Sequence, residues 1–264
     1  MKVYISADIE GITGVTHWDE TDQGKEGYEV AREQMTAEVA AACEGALQAG
    51  ATEVWVKDAH DSARNIITSR LPRQTRLIRG WSGHPFVMMQ ELDSSFHALV
   101  LVGYHSRMGS GANPLSHTMS GHITWLKING LEASEFSLCA YTSALVKVPL
   151  VFVSGDKGLC EDAVSLNPHI TTVAVKEGVG DSTINIHPDL AVEQIRSQVA
   201  RAVAEASKCL LPLPNHFTAE VRFRRPERAY QFGFFPGVRQ TDSTTVQFDH
   251  TDFFEVMRFL LFAL

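Results

Sequence analysis

The chain has 264 residues, 44% of them apolar and 20% charged, and its 23 basic and 31 acidic side chains give a formal charge of 23 − 31 = −8. That length closes a hydrophobic core without disulfides, and with only 10 prolines and 19 glycines the composition excludes disordered and fibrous classes. The acidic balance argues against nucleic acid, whose phosphates demand a basic face.

Val3 to Ala7 is a short apolar run ending in Asp8, and residues 25–49, rich in Ala, Glu, Gln and Met, close at Gly50. This reads as strand, loop, then helix with a glycine C-cap. Thr52 to Lys57 and His97 to Gly103 read as the next strands. Further strands are expected at Ile123 to Ile128, Leu150 to Ser154 and Thr171 to Val175, with helices at Glu132 to Val146, after Asp156, and from Pro188 to Lys208. The alternation implies an α/β fold with a mainly parallel sheet flanked by helices. Gly178-Val179-Gly180 lacks the third glycine of a dinucleotide fingerprint and reads as a turn.

Two prolines within Leu211-Pro212-Leu213-Pro214 end the last of these helices. Residues 1–212 are therefore expected to form the catalytic domain. Residues 213–264 are read as a small α+β appendage, with strands at Ala219 to Arg224 and Thr244 to Phe248 and a helix at Asp252 to Leu264. That final apolar helix carries Glu255 and Arg258 and falls short of the roughly 20 residues a bilayer requires. It is expected to dock on the core or on a neighbouring subunit. The first residues are too short an apolar run for a signal peptide, so a cytoplasmic location is expected, without membrane or nucleic-acid partners. Cys43, Cys139, Cys160 and Cys209 form no C-x-x-C pair and read as buried, reduced thiols.

The chemistry is concentrated just after the strands. The first ends in Asp8-Ile9-Glu10-Gly11, the second in Asp58-Ala59-His60-Asp61 and the third in Gly103-Tyr104-His105. Carboxyl ends of parallel strands share one sheet edge, where ligands bind. His117, in a loop rich in Gly, Ser, Asn and Pro, and Glu135, at the start of a helix, are further candidates. Carboxylates with imidazoles suit zinc better than magnesium, and a bridging carboxylate can hold two ions about 3.5 to 4 Å apart. Such a pair acidifies water and polarises a carbonyl, which favours amide hydrolysis. The competing reading is that each histidine is an ordinary surface or core residue and that Asp58 and Asp61 cap a helix or orient His60.

Five ordered segments break this balance: Ser6-Ala7-Asp8-Ile9-Glu10-Gly11-Ile12-Thr13-Gly14, Val56-Lys57-Asp58-Ala59-His60, Gly103-Tyr104-His105-Ser106-Arg107, Ser116-His117-Thr118-Met119 and Ala133-Ser134-Glu135. Together with Thr244-Thr245-Val246-Gln247-Phe248, they resemble the motifs of the zinc-dependent D-aminopeptidases of the DppA type. The resemblance implies two zinc ions per subunit, bridged by Asp8 and otherwise held by Glu10, His60, His105 and Glu135, with His117 in a direct catalytic role. It also implies short substrates with an N-terminal D-residue, D-Ala-D-Ala among them, and a homo-oligomer in the form of a decameric ring. One departure is a loop from His105 to His117 that is one residue longer than the family form, which puts the reach of His117 in question. Arg107 and Asn113 in that loop are secondary candidates for substrate contact.

Two rival readings remain. A haloacid dehalogenase phosphatase also opens on a strand followed by Asp-x-Asp-Gly, here imitated by Asp8-Ile9-Glu10-Gly11 with Gly155-Asp156 and Asp162. It would use magnesium on oxygens and leave His60, His105 and His117 without a purpose. A non-catalytic metal- or peptide-binding module is the other, although structural zinc sites are usually closed and rich in cysteine. No G-x-S-x-G or P-loop motif is present. Arg222, Arg224, Arg225 and Arg228 form the only basic concentration, read as a solvated strand face or a subunit contact.

Overall fold

A computed structural model describes residues 1–264. Its elements in chain order begin with β1 (Lys2–Ala7), α1 (Tyr28–Gln48), β2 (Glu53–Asp58), β3 (Thr75–Ile78), β4 (Ala98–Tyr104), β5 (Ile123–Ile128) and β6 (Leu131–Glu132). They continue with α2 (Glu135–Leu145), β7 (Leu150–Asp156), α3 (Lys157–Leu166), β8 (Thr171–Val179), β9 (Ser182–Asn185) and α4 (Pro188–Ala204). The chain ends with β10 (Phe217–Phe223), α5 (Pro226–Phe232), β11 (Val238–Gln240), β12 (Thr245–His250) and α6 (Phe253–Ala263).

Seven strands form one sheet in the order β3-β2-β1-β4-β7-β8-β9, parallel except for β9, which returns antiparallel beside β8. Helices cover both faces, and this explains why β4 and β7 are buried at every residue and read as unbroken apolar runs. On one face α1 and α4 cover Val3, Ile5, Val54, Val100 and Val102. On the other, α2, α3 and the 86–96 segment cover Tyr4, Leu99, Leu101 and Val153. The turn expected at Gly178 to Gly180 is the β8–β9 hairpin, with Gly180 at φ 60.

The second sheet is antiparallel, in the order β11-β12-β10-β5-β6, and here the structure departs from the expected succession of strands. β5 reads locally like another member of the parallel series, yet it pairs with β10, as in Val221 opposite Leu126. Its alternating burial is that of a strand with one packed face. The antiparallel unit thus draws on both sides of the proline break. Two boundaries also shift: α2 starts at Glu135 because Glu132 belongs to β6, and α4 ends at Ala204, followed by a 3-10 turn over Ala206–Cys209.

α6 lies on this second sheet, burying Phe253, Val256, Met257, Phe259, Leu260 and Ala263 at helical spacing. Each large side chain so buried contributes about 1.5–3 kcal/mol, so the docking onto the chain's own core needs no partner. No helix is long and apolar enough to cross a membrane. All four cysteines are buried and unpaired.

Candidate metal centre

The strand order reverses between β1 and β4, the place where an open parallel sheet leaves a crevice at its carboxyl edge. Asp8 and Glu10 follow β1, His60 follows β2 and His105 follows β4, three adjacent strands. Two glycines let the ends of β1 and β4 close on each other. A Cβ on Gly11 would stand 1.8 Å from the Tyr104 carbonyl oxygen, and one on Gly103, which has φ +69, would stand 2.3 Å from the Asp8 carbonyl oxygen. No larger residue fits there without moving the strand ends apart.

Glu135 arrives from the side as the first residue of α2, after the N-cap Ser134. A carboxylate is stabilised at a helix N-terminus, and Glu135 Oε1 also accepts the Met119 N–H at 2.6 Å. That bond ties the 117–121 loop to the centre. His117 reaches it: its ring stacks on His105 with centroids 4.4 Å apart, and its Nε2 lies 3.5 Å from Glu135 Oε1. Trp18 also packs edge-on against His117.

Each of the three imidazoles has one nitrogen committed to the backbone. His60 Nε2 donates to the Thr21 carbonyl at 2.9 Å, His105 Nδ1 to Ser106 at 2.9 Å and His117 Nδ1 to Leu115 at 3.1 Å. The remaining nitrogens therefore face carboxylate oxygens. His60 Nδ1 is 3.3 Å from Asp8 Oδ1 and 3.1 Å from Glu10 Oε2; His105 Nε2 is 3.5 Å from Asp8 Oδ2 and 3.3 Å from Glu135 Oε2. Lone pairs facing lone pairs repel unless a cation or a proton lies between them. Glu10 Oε2 and His105 Nε2 are buried with no hydrogen-bond partner in the protein, as suits atoms that could ligate a metal. The donor set fits zinc.

Two groups of mutually close donors, Asp8 with Glu10 and His60, and Asp8 with His105 and Glu135, have Asp8 in common. A third combines Glu10, His105 and His117. Burial pulls the His60 and His105 imidazoles down, but the carboxylates outweigh it, raising His60 well above its ordinary value and His105 to about 10. Burial and then the adjacent Glu10 charge push Asp8 up, while Glu10 and Glu135 are held down, against their own burial, by the imidazoles facing them.

Asp58, read from sequence as a cap or as a residue that orients His60, accepts the Asn65 and Ile66 N–H groups and the Asn65 amide, fixing the loop that carries His60. The other supports around these groups were not legible in the sequence. Asp156, which the phosphatase reading would use, is spent on Ser106, Asn113 and the cap of α3. Asn113 is buried and donates to the Glu10 carbonyl, and Arg107 pairs with Glu132, so both secondary candidates brace the loop. Lys176, a charged residue inside β8, buries its ammonium against the carbonyl oxygens of Glu10 and Val15.

The centre opens into a cleft of about 770 Å³ whose walls include Trp18, Trp81, Met119, Thr124 and Arg224, a size suited to a small ligand. The chain is similar to a D-aminopeptidase of Bacillus subtilis (strain 168), 32% identical over 265 residues that cover 99% of this chain and 96% of the relative. Among solved structures, the zinc-dependent D-aminopeptidase DppA from Bacillus subtilis, a self-compartmentalizing protease, superposes with a TM-score of 0.93 at 31% identity, covering 100% of this chain and 96% of that one. Neither the phosphatase nor the non-catalytic reading finds support in these likenesses. With the M55 peptidase profile, that of D-aminopeptidases, matching residues 1–262, the chain belongs to the M55 family of D-aminopeptidases.

Proposed function

We propose that this protein is a binuclear zinc aminopeptidase that removes the N-terminal residue of short peptides, D-residues foremost. The observation that carries the reading is Asp8, which turns Oδ1 toward His60 and Oδ2 toward His105 and so belongs to two donor groups at once. Glu10 and His60 complete one side of the pair, His105 and Glu135 the other. When bound, zinc polarises the scissile carbonyl and makes water acidic enough to attack near neutral pH.

The chain's own residues then have separable tasks. The backbone bonds to His60 and His105 fix which ring nitrogen is free and where it points, so the ligands need no rearrangement to bind. His117 is more open, with 22% of its side chain exposed, and its Nδ1 is held by Leu115. Its Nε2 therefore faces the cleft as the group that holds a proton for the departing amine. Trp18, Trp81 and Met119 give the cleft apolar wall against which a peptide can pack.

The Bacillus subtilis structure is described as self-compartmentalizing, and a homo-oligomer, in the decameric form implied by the resemblance, is proposed here too. Exposed Tyr230, Phe234 and Phe262 support it, since clustered apolar surface marks contact sites. Hydrolysis of D-Ala-D-Ala and L-Ala-L-Ala by the zinc-loaded protein tests the activity, with faster release of alanine from the D-peptide expected. Release from the L-peptide alone would remove the stereochemical claim, and release from neither, with zinc bound, would overturn the peptidase reading.

A further inference from the structure

The four clustered arginines, read from sequence as a solvated face, do not share one environment. Arg225 pairs with Glu227, and of the four only Arg224 lines the cleft, where it is the only lysine or arginine. It follows the last residue of β10, with its backbone N–H on the His122 carbonyl at 2.9 Å and its Nε on the Ile123 carbonyl at 3.2 Å. The guanidinium is thus held by its inner nitrogen against the start of β5. Its two terminal nitrogens have no partner in the protein, and it forms no ion pair.

We propose that Arg224 receives the C-terminal carboxylate of the peptide and thereby selects short substrates with a free carboxyl end. This assignment rests on the aminopeptidase reading. Its chemistry is that of a planar fork offering two parallel N–H groups to two carboxylate oxygens, a match that lysine does not reproduce.

Reach supports it. Met119 binds the ligand Glu135 through its N–H, and His122 binds Arg224 through its carbonyl. Three residue steps separate those anchors, at most about 11 Å of chain, while an extended dipeptide or tripeptide covers about 7 to 10 Å. A peptide whose N-terminal carbonyl sits at the metal centre therefore brings its carboxyl end toward Arg224. At that end of the cleft the wall offers a carboxylate no other cation.

The test compares D-Ala-D-Ala with its C-terminal amide on zinc-loaded protein. The unsubstituted enzyme is expected to favour the acid by about tenfold in kcat/KM, mainly through KM, as for one charge-assisted hydrogen-bonded pair. Arg224→Met should bring that ratio to about one, and Arg224→Lys, which keeps the charge and loses the fork, should leave an intermediate ratio. Arg222→Met, a neighbouring exposed arginine outside the cleft, should leave the ratio as it was. A ratio unmoved by Arg224→Met, or lowered equally by Arg222→Met, overturns the assignment while leaving the peptidase reading intact. Turnover of neither peptide by the unsubstituted enzyme overturns both.

Discussion

Nε2 of His105 stands 3.5 Å from Oδ2 of Asp8 while its other ring nitrogen is tied to the Ser106 carbonyl. In the metal-free protein the imidazole holds its proton more tightly than a free one, because the surrounding carboxylates, Glu135 first among them, raise it from 6.5 to about 10 in spite of burial. The folded-state value lies above the unfolded one. The stabilisation is therefore fully present below pH 6.5 and is lost as pH rises through about 10. Thermal scans of metal-free protein should show Tm falling across that window, with a much smaller fall once zinc replaces the proton. A metal-free Tm that rises from pH 7 to 10 would contradict the account.

The same competition makes zinc loading a proton-releasing event. Calorimetric titrations with zinc at pH 7.5 in buffers of different ionisation enthalpy should show heats that vary with the buffer, with a slope corresponding to net proton release. Apparent affinity should rise with pH up to about 10.

His117 can be separated from the ligands. His117→Gln should retain zinc content and lower kcat on D-Ala-D-Ala by about 10²- to 10⁴-fold, the range for losing a positioned proton-transfer group. Metal analysis alongside steady-state kinetics checks it. Full turnover with normal zinc would remove the assigned role, and lost zinc would place His117 among the ligands, in line with its closeness to Glu10 and His105.

Lys176→Met removes a buried ammonium from the carbonyl oxygens of Glu10 and Val15. Two buried acceptors lose their donor, so stability should fall by about 1–3 kcal/mol. Zinc affinity should weaken by about 10- to 100-fold, as when other supports of metal ligands are lost. Denaturant melts of the metal-free form and competition with a chromogenic chelator read the two effects separately.

Much of the candidate centre was legible because four of its five proposed ligands lie one to three residues past a strand that reads as an apolar run. Asp8, Glu10, His60 and His105 are placed by that rule alone. The local pattern could not report strand order, so the adjacency of β2, β1 and β4 rested on topology. β5 was assigned to the wrong kind of sheet for the same reason: alternation along a strand does not name its partner. Lys176 stayed hidden because a single lysine in a strand usually points to solvent, and only the long-range bonds to Glu10 and Val15 reveal its burial. Arg224 was masked by three neighbouring arginines that do not line the cleft. The loop from His105 to His117 kept its reach because Asp156, Asn113 and the Met119–Glu135 bond brace it, contacts spread over parts of the chain that no local motif joins.

If Asp8 joins two zinc ions in one catalytic centre, both ions should be seen on titrating metal-free protein with zinc while measuring bound metal and D-Ala-D-Ala hydrolysis. Saturation at two zinc ions per chain is expected, with turnover rising as the second binds and no turnover restored by magnesium. Saturation at one zinc ion with full turnover, or full turnover with magnesium alone, would contradict it.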